Sequence, residues 1–255
     1  MPLPMAIDLH ASGFELECLM FVHRSGSVMV KNGTNGNIGS LKGTTFLVPS
    51  DLSVQHMLFH RLMAASGLSF GTGQEKDVTS QAVPPFLMPR ILEMDNLEEA
   101  AGYIVAEPFG TLSLEKESGK ILCASSKLWK DHPCCCFVME KDFSHNQPLA
   151  MEEMVSDFFK SADLLETQIR SGMGPSHISW MSGFLDQAPE IIQRSVLASE
   201  ICFDPEKLVP EHQVIDTIQV YMNESMGVLP QKIDLSTFIN PEWAQSAISE
   251  ACLEN

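Results

Sequence analysis

A glutamate, a histidine and a run of three cysteines are the residues of this 255-residue chain with the most chemistry to offer. Glu107 directly follows the apolar run 103–106 and precedes Pro108. That order puts a carboxylate at the end of a buried strand, where ligands of open α/β sheets bind. Pro108 biases Glu107 towards an extended backbone and brings no N–H of its own. The carboxylate can accept hydrogen bonds from a ligand N–H or O–H, coordinate a cation, or pair with a nearby lysine. His56 falls in the first turn of a helical pattern that follows Val48-Pro-Ser-Asp51. Free N–H groups and the helix dipole favour an anion there; the alternative is a surface histidine. His60, one turn later, reads as structural.

The cysteines sit in Leu128-Trp-Lys-Asp-His-Pro-Cys-Cys-Cys-Phe137. A metal set of His132, Cys134, Cys135 and Cys136 fails on geometry, because a strand turns alternate side chains to opposite faces. Only Cys134 and Cys136 would then share a side, and closed zinc sites use spaced ligand pairs. The run is expected to be small apolar residues in a strand, with no metal and no cofactor. Gly39-Ser-Leu-Lys-Gly43 has the wrong order for a phosphate loop, and 67–73 lacks the strand–turn–helix setting of a dinucleotide site. No Gly-x-Ser-x-Gly occurs.

Elements must hold these groups in place. Apolar runs bounded by turn residues predict strands at 19–23, 28–31, 44–48, 103–106, 120–124 and 135–139. A 3.6-residue period predicts a helix over 53–65, with Ser50, Asp51 or Ser53 able to cap it. Further helices are expected at 89–101, 148–169, 176–185, 189–199, 210–226 and 241–253. The clearest is 148–169, with Met151, Val155, Phe158, Phe159 and Ala162 on one side and Glu152, Glu153 and Asp157 towards the other. The segment 32–39 reads as a polar turn. Strands alternating with helices indicate an α/β architecture, with a helical last hundred residues.

Composition narrows the function. A hydrophobic fraction of 44% over this length can bury a substantial core. A formal charge of −17 excludes nucleic acid and an anionic membrane surface as partners. A small anion is still allowed, because a local cluster of N–H donors binds one inside an acidic protein. No stretch is apolar enough to span a membrane. The N-terminus lacks a charged n-region and an apolar h-region, so no signal peptide is expected. Seven cysteines without framework spacing favour a reducing compartment.

Seven short motifs in order carry a resemblance. They are Pro2-Leu-Pro-Met-Ala6, Leu41-Lys-Gly-Thr-Thr-Phe-Leu-Val-Pro49, His56 on the helix ending Leu62-Met-Ala-Ala-Ser-Gly67, Val83-Pro-Pro85, Gly102 to Pro108, Leu128 to Pro133, and the helix opened by Pro148. In that order the chain resembles the nitrate/sulfonate/taurine class of ABC-transporter substrate-binding proteins, especially its nitrate/bicarbonate branch. The resemblance implies a periplasmic-binding-protein-like type II fold, with two α/β lobes on two crossover strands closing on a small polar or anionic ligand. It implies lobe one at 1–40 and 133–255, lobe two at 41–132, and a starting point after the family's usual first strand–helix–strand unit. The ligand set it implies is Pro4, Ser53, Gln55, His56, Pro85, Ala106 and Glu107, with ABC permease subunits as partners and no catalysis. The branch usually has glycine where Ala106 stands, whose methyl narrows a close backbone approach, and tends to place a lysine near Cys135, whose absence speaks against nitrate itself. It also implies a periplasmic or cell-surface location, whereas the chain as written would be cytoplasmic if its start is genuine. Two other readings share the fold: a cytoplasmic ligand sensor, and a thiamine-pyrimidine-synthase-like enzyme. The latter's Cys-Cys-Cys-Phe-Cys run is broken here at Val138.

Overall fold

The computed structural model describes residues 1–32, 38–94 and 100–253. In chain order the elements are α1 (Leu3–Ala11), β1 (Leu16–Phe21), β2 (Ser27–Lys31), β3 (Thr44–Val48), α2 (Val54–Ala65), β4 (Phe70–Gly71) and β5 (Val78–Ala82). They continue with α3 (Met88–Glu93), β6 (Gly102–Ala106), α4 (Phe109–Glu115), β7 (Lys120–Ala124), β8 (Cys136–Glu140) and α5 (Lys141–Asn146). Five longer helices follow: α6 (Pro148–Ser171), α7 (Pro175–Leu185), α8 (Pro189–Ser199), α9 (His212–Val220) and α10 (Glu242–Leu253). The expected turn at 32–39 and the end of the expected helix 89–101 fall largely outside the described residues.

The chain divides into two compact units. The first takes Met1–Arg24, His132–Gly172 and Cys202–Asn255; the second takes Ser25–Asp131 and Met173–Ile201. This differs from the expected division in two places. Residues 25–40 belong to the second unit because β2 pairs antiparallel with both β6 and β7. Residues 173–201 belong there too, tied by Gly26 N–H to the Ser199 carbonyl at 3.3 Å, by an Arg194–Glu115 ion pair and by Lys127–Glu200 at 2.8 Å. Amphipathic periodicity reveals that a helix has an apolar face; it does not reveal which sheet that face covers.

The second unit is built on a six-stranded sheet in the order β4-β5-β3-β6-β2-β7. Strands β3 to β6 run parallel where they pair, and β2 is antiparallel to both neighbours. Every residue of β2 is buried, as are the first four of β6, the near-continuous apolar pattern of strands covered on both faces. One face packs Val28, Val30, Leu47, Met88, Leu92, Tyr103 and Val105 together. Elsewhere in the unit Phe46 stacks on Phe59 at 3.7 Å between ring centroids, and Phe59 meets Phe70 edge-on at 4.7 Å. Such aromatic pairs add about 0.5–1.5 kcal/mol each beyond the area they bury. Gly102 is needed where it stands, because a Cβ there would lie 2.4 Å from the Val30 carbonyl oxygen.

The first unit has a two-stranded antiparallel sheet, β1 on β8. Such a ribbon is marginal alone and needs helices over it; α1, α6, α9 and α10 supply Leu3, Ile7, Met151, Val155, Phe159, Ile215, Ile218 and Ala244 to its core. Glu17 is buried on β1 and is satisfied by Ser144 Oγ at 3.0 Å and Asn240 Nδ2 at 3.1 Å. Residues 3–11 form a helix although two prolines, Pro2 and Pro4, stand at its start. Proline is tolerated in a helix's first turn, where its missing N–H is not needed.

Candidate functional site

Register places one end of the second unit's sheet at the centre of the chemistry. Parallel pairing puts Val48 beside Ala82, and Leu47 beside Tyr103, so β3, β5 and β6 all end on the same edge. The antiparallel β2 starts there, with Ser27 opposite Ala106 and Val28 opposite Ala124. The carboxyl edge of the parallel strands thus gathers residues 25–27, 49–53, 83–85, 107–108 and 125. This is the kind of edge on which open α/β sheets bind ligands.

Glu107 is fixed there from both backbone and side chain. Its N–H donates to the Gly26 carbonyl at 3.1 Å. Its carboxylate accepts from Thr111 N–H at 2.9 Å and from Thr111 Oγ1 at 3.0 Å, which satisfies donors in the first turn of α4. Burial raises its pKa, against the Thr111 hydrogen bonds that lower it. Gly110 makes the arrangement feasible: a Cβ there would fall 2.0 Å from Val28 Cγ2 and 3.2 Å from Glu107 Oε1. The lysine partner weighed for Glu107 gives way to Thr111.

His56 is buried, not a surface residue. Ser53 caps α2 by accepting His56 N–H at 3.1 Å while donating to the Ser50 carbonyl at 2.7 Å. The His56 ring stands edge-on to Phe70 at 5.3 Å. Its Nδ1 lies 2.9 Å from the Asp51 carbonyl oxygen. A carbonyl only accepts, so Nδ1 carries the proton, and Nε2 of the neutral ring is a lone-pair acceptor. That Nε2 is buried without a hydrogen-bond partner. Desolvation lowers the His56 pKa, opposed by the Asp51 hydrogen bond, which keeps the ring neutral near pH 7.

The remaining candidates separate cleanly. Gln55 is buried and donates from Nε2 to Ser27 Oγ at 3.0 Å, and Ser27 N–H reaches Ser125 Oγ at 3.3 Å. Ala106 ends β6, and half-buried Pro85 opens a 3₁₀ turn after β5. Pro4 is instead buried in the first turn of α1, in the other unit. The sequence reading missed Ser25, Ser27 and Ser125. Ser25 has φ 58° and a buried Oγ without a partner; its Ser-Gly step before a strand was the available signal. Together these groups offer an imidazole, a carboxylate, an amide and hydroxyls, a set suited to hydrogen-bonding a small polar molecule.

The cysteine run does not behave as one strand. Strand β8 begins only at Cys136, whose thiol hydrogen-bonds Cys18. His132 is buried with Nδ1 3.0 Å from the Pro133 carbonyl. The alternation expected to part Cys134 from Cys135 therefore does not apply to them.

Comparison with known proteins agrees with this architecture. A ligand-binding component of an ABC-type import system from Staphylococcus aureus with zinc bound superposes at a TM-score of 0.81 and 18% identity, covering 97% of this chain and 79% of that one. The periplasmic nitrate-binding protein NrtA from Synechocystis PCC 6803 gives 0.78 at 17% identity, covering 98% and 73%. The alkanesulfonate-binding protein SsuA from Xanthomonas axonopodis pv. citri bound to MOPS gives 0.74 at 15%, covering 94% and 78%. These likenesses show the fold, the mixed α/β fold of periplasmic binding proteins. In sequence, the nitrate/nitrite binding protein NrtA of Nostoc sp. is 29% identical over 100 residues, a match spanning 39% of this chain and 21% of that protein. Residues 21–171 match the family model described as the NMT1-like family. That match takes in β2 to α6, the whole sheet of the second unit included, and the chain belongs to the NMT1-like family.

Proposed function

We propose that this chain is the substrate-binding component of an ABC importer, taking a small polar or anionic molecule at the edge formed by Ser27, Gln55, His56 and Glu107. One observation carries the reading: a buried imidazole nitrogen without a partner shares the sheet's carboxyl edge with a half-buried carboxylate. Ala106 and Pro85 form part of the apolar rim. The relatives named above are binding proteins, one of them the ligand-binding component of an ABC-type import system, which supports binding in place of catalysis and permease subunits as partners. An exported or surface location goes with that role. Among the described residues no helix is long and apolar enough to cross a membrane.

The protonation states refine the ligand. Neutral His56 offers an acceptor, so a ligand that brings its own hydrogen, such as hydrogen carbonate, fits it directly. An anion without hydrogen needs the imidazolium and therefore gains affinity as pH falls.

A thermal-shift screen against nitrate, hydrogen carbonate, taurine, an alkanesulfonate and a pyrimidine tests the proposal. Binding raises the midpoint with concentration, by about 2.7 kcal/mol of added stability at a hundred times Kd. A folded protein unmoved by all five at millimolar concentration would sink it.

A further inference from the structure

We propose that His23, Cys134 and Cys135 form a binding site for a thiophilic cation of the Zn²⁺ class, in the first unit and apart from the edge described above. The argument starts from register. Phe21 pairs with Cys136 and Arg24 bridges to Pro133, so the antiparallel alignment sets His23 opposite Cys134 and Val22 opposite Cys135. Val22 N–H donates to the Cys135 carbonyl at 2.9 Å. On the other side Leu3 N–H donates to the Cys134 carbonyl at 3.2 Å, and Pro2 bridges to Cys135. The two cysteines are therefore held by backbone pairing on both flanks, with their sulfurs turned to the same histidine.

The ligand atoms of the three residues all lie within 4.8 Å of one another. Zn–S bonds of about 2.3 Å and Zn–N bonds of about 2.0–2.1 Å set tetrahedral ligand separations of roughly 3.4–3.8 Å. Side-chain rotation of about an ångström closes the set without moving the paired backbone. The Cys134 thiol and the His23 ring both stand beside the Cys135 sulfur. His23 Nδ1 is buried with no hydrogen-bond partner, and the ring packs at 6.0 Å from Phe203. Packing alone has no use for an unsatisfied nitrogen on a buried edge of a ring that stands beside two sulfurs.

The donor set chooses the ion. Two sulfurs and an imidazole suit Zn²⁺ and other soft or borderline cations; Ca²⁺ and Mg²⁺ take oxygens. Three protein ligands leave a fourth position for water or an exogenous group. Coordination forms two metal–sulfur bonds and one metal–nitrogen bond, and any proton still on the thiols passes to buffer.

Cobalt serves as the probe. The full chain, reduced and kept anaerobic, is titrated with Co²⁺ alone. One equivalent is expected to give a near-ultraviolet sulfur-to-cobalt charge-transfer band and intense visible bands of four-coordinate cobalt, both bleached by Zn²⁺. Cys135→Ser and His23→Ala, each checked for native circular dichroism, are expected to weaken binding at least tenfold. Cys123→Ser, in the other unit, is expected to leave the spectrum unchanged. No charge-transfer band in the folded wild type would overturn the assignment. So would an undiminished band in Cys135→Ser or His23→Ala, or its loss in Cys123→Ser.

Discussion

His56 reaches its state through three neighbours: Ser53 holds its N–H, the Asp51 carbonyl fixes its proton on Nδ1, and burial keeps the ring neutral. The linkage to stability has a definite sign. With the folded pKa below the unfolded value near 6.5, its contribution is fully present above pH 6.5 and is lost as pH falls through the lowered folded pKa. His10 and His60 are lowered mainly by burial as well and act in the same direction. Urea unfolding between pH 5 and 8 is therefore expected to show wild-type stability falling below pH 6.5 more steeply than in His56→Gln. Equal slopes would mean that His56 does not sense its burial. Glu107 has the opposite linkage: its raised pKa makes its charged form costly as pH rises through the folded value. Of these residues, Glu107 was legible from an apolar run followed by proline, and His56 from its place in a first turn. Ser27 and His23 were not legible, because the residues they meet lie 28 and 111 positions away (Gln55 and Cys134) and come close only in the folded chain. Strand alternation was applied to Cys134, which lies two residues before the strand starts.

Elements were more readable than their assembly. The apolar runs marked β1, β2, β3, β6, β7 and β8 to within a few residues, since buried strands need unbroken apolar sequence. Strand β5, Val-Thr-Ser-Gln-Ala, escaped because three of its five residues are polar and exposed positions interrupt the pattern. The expected helix 210–226 ends its α-helical part at Val220 and continues as one π turn to Met226. Two substitutions test how elements position the site. Ser53→Ala removes the cap of α2 and is expected to cost about 1 kcal/mol in urea unfolding. Gly110→Ala would gain helix propensity on an open surface, but here its methyl drives into Val28 and against Glu107. It is expected to destabilise by about 1–3 kcal/mol, the range for overpacking. A neutral or stabilising result would show that α4 is free to shift away from β2.

At the scale of the whole molecule, the chain threads through its two units, leaving the first at Arg24, returning at His132, and visiting the second again over 173–201. Sequence order alone could not place α7 and α8, since what ties them to the second unit is an ion pair and hydrogen bonds to residues distant in the chain. A net charge of −17 is compatible with a small anion only where a local cluster of donors outweighs it. The central claim is that this edge, through His56 and Glu107, holds a small ligand. Titration calorimetry tests it most directly, using the compound that gives the largest thermal shift against wild type, His56→Gln and Glu107→Gln. The account predicts one site in the wild type, at least tenfold weaker binding in each variant, and a Glu107→Gln protein no less stable than wild type at pH 7. Undiminished affinity in both variants, with their folds intact, would contradict it.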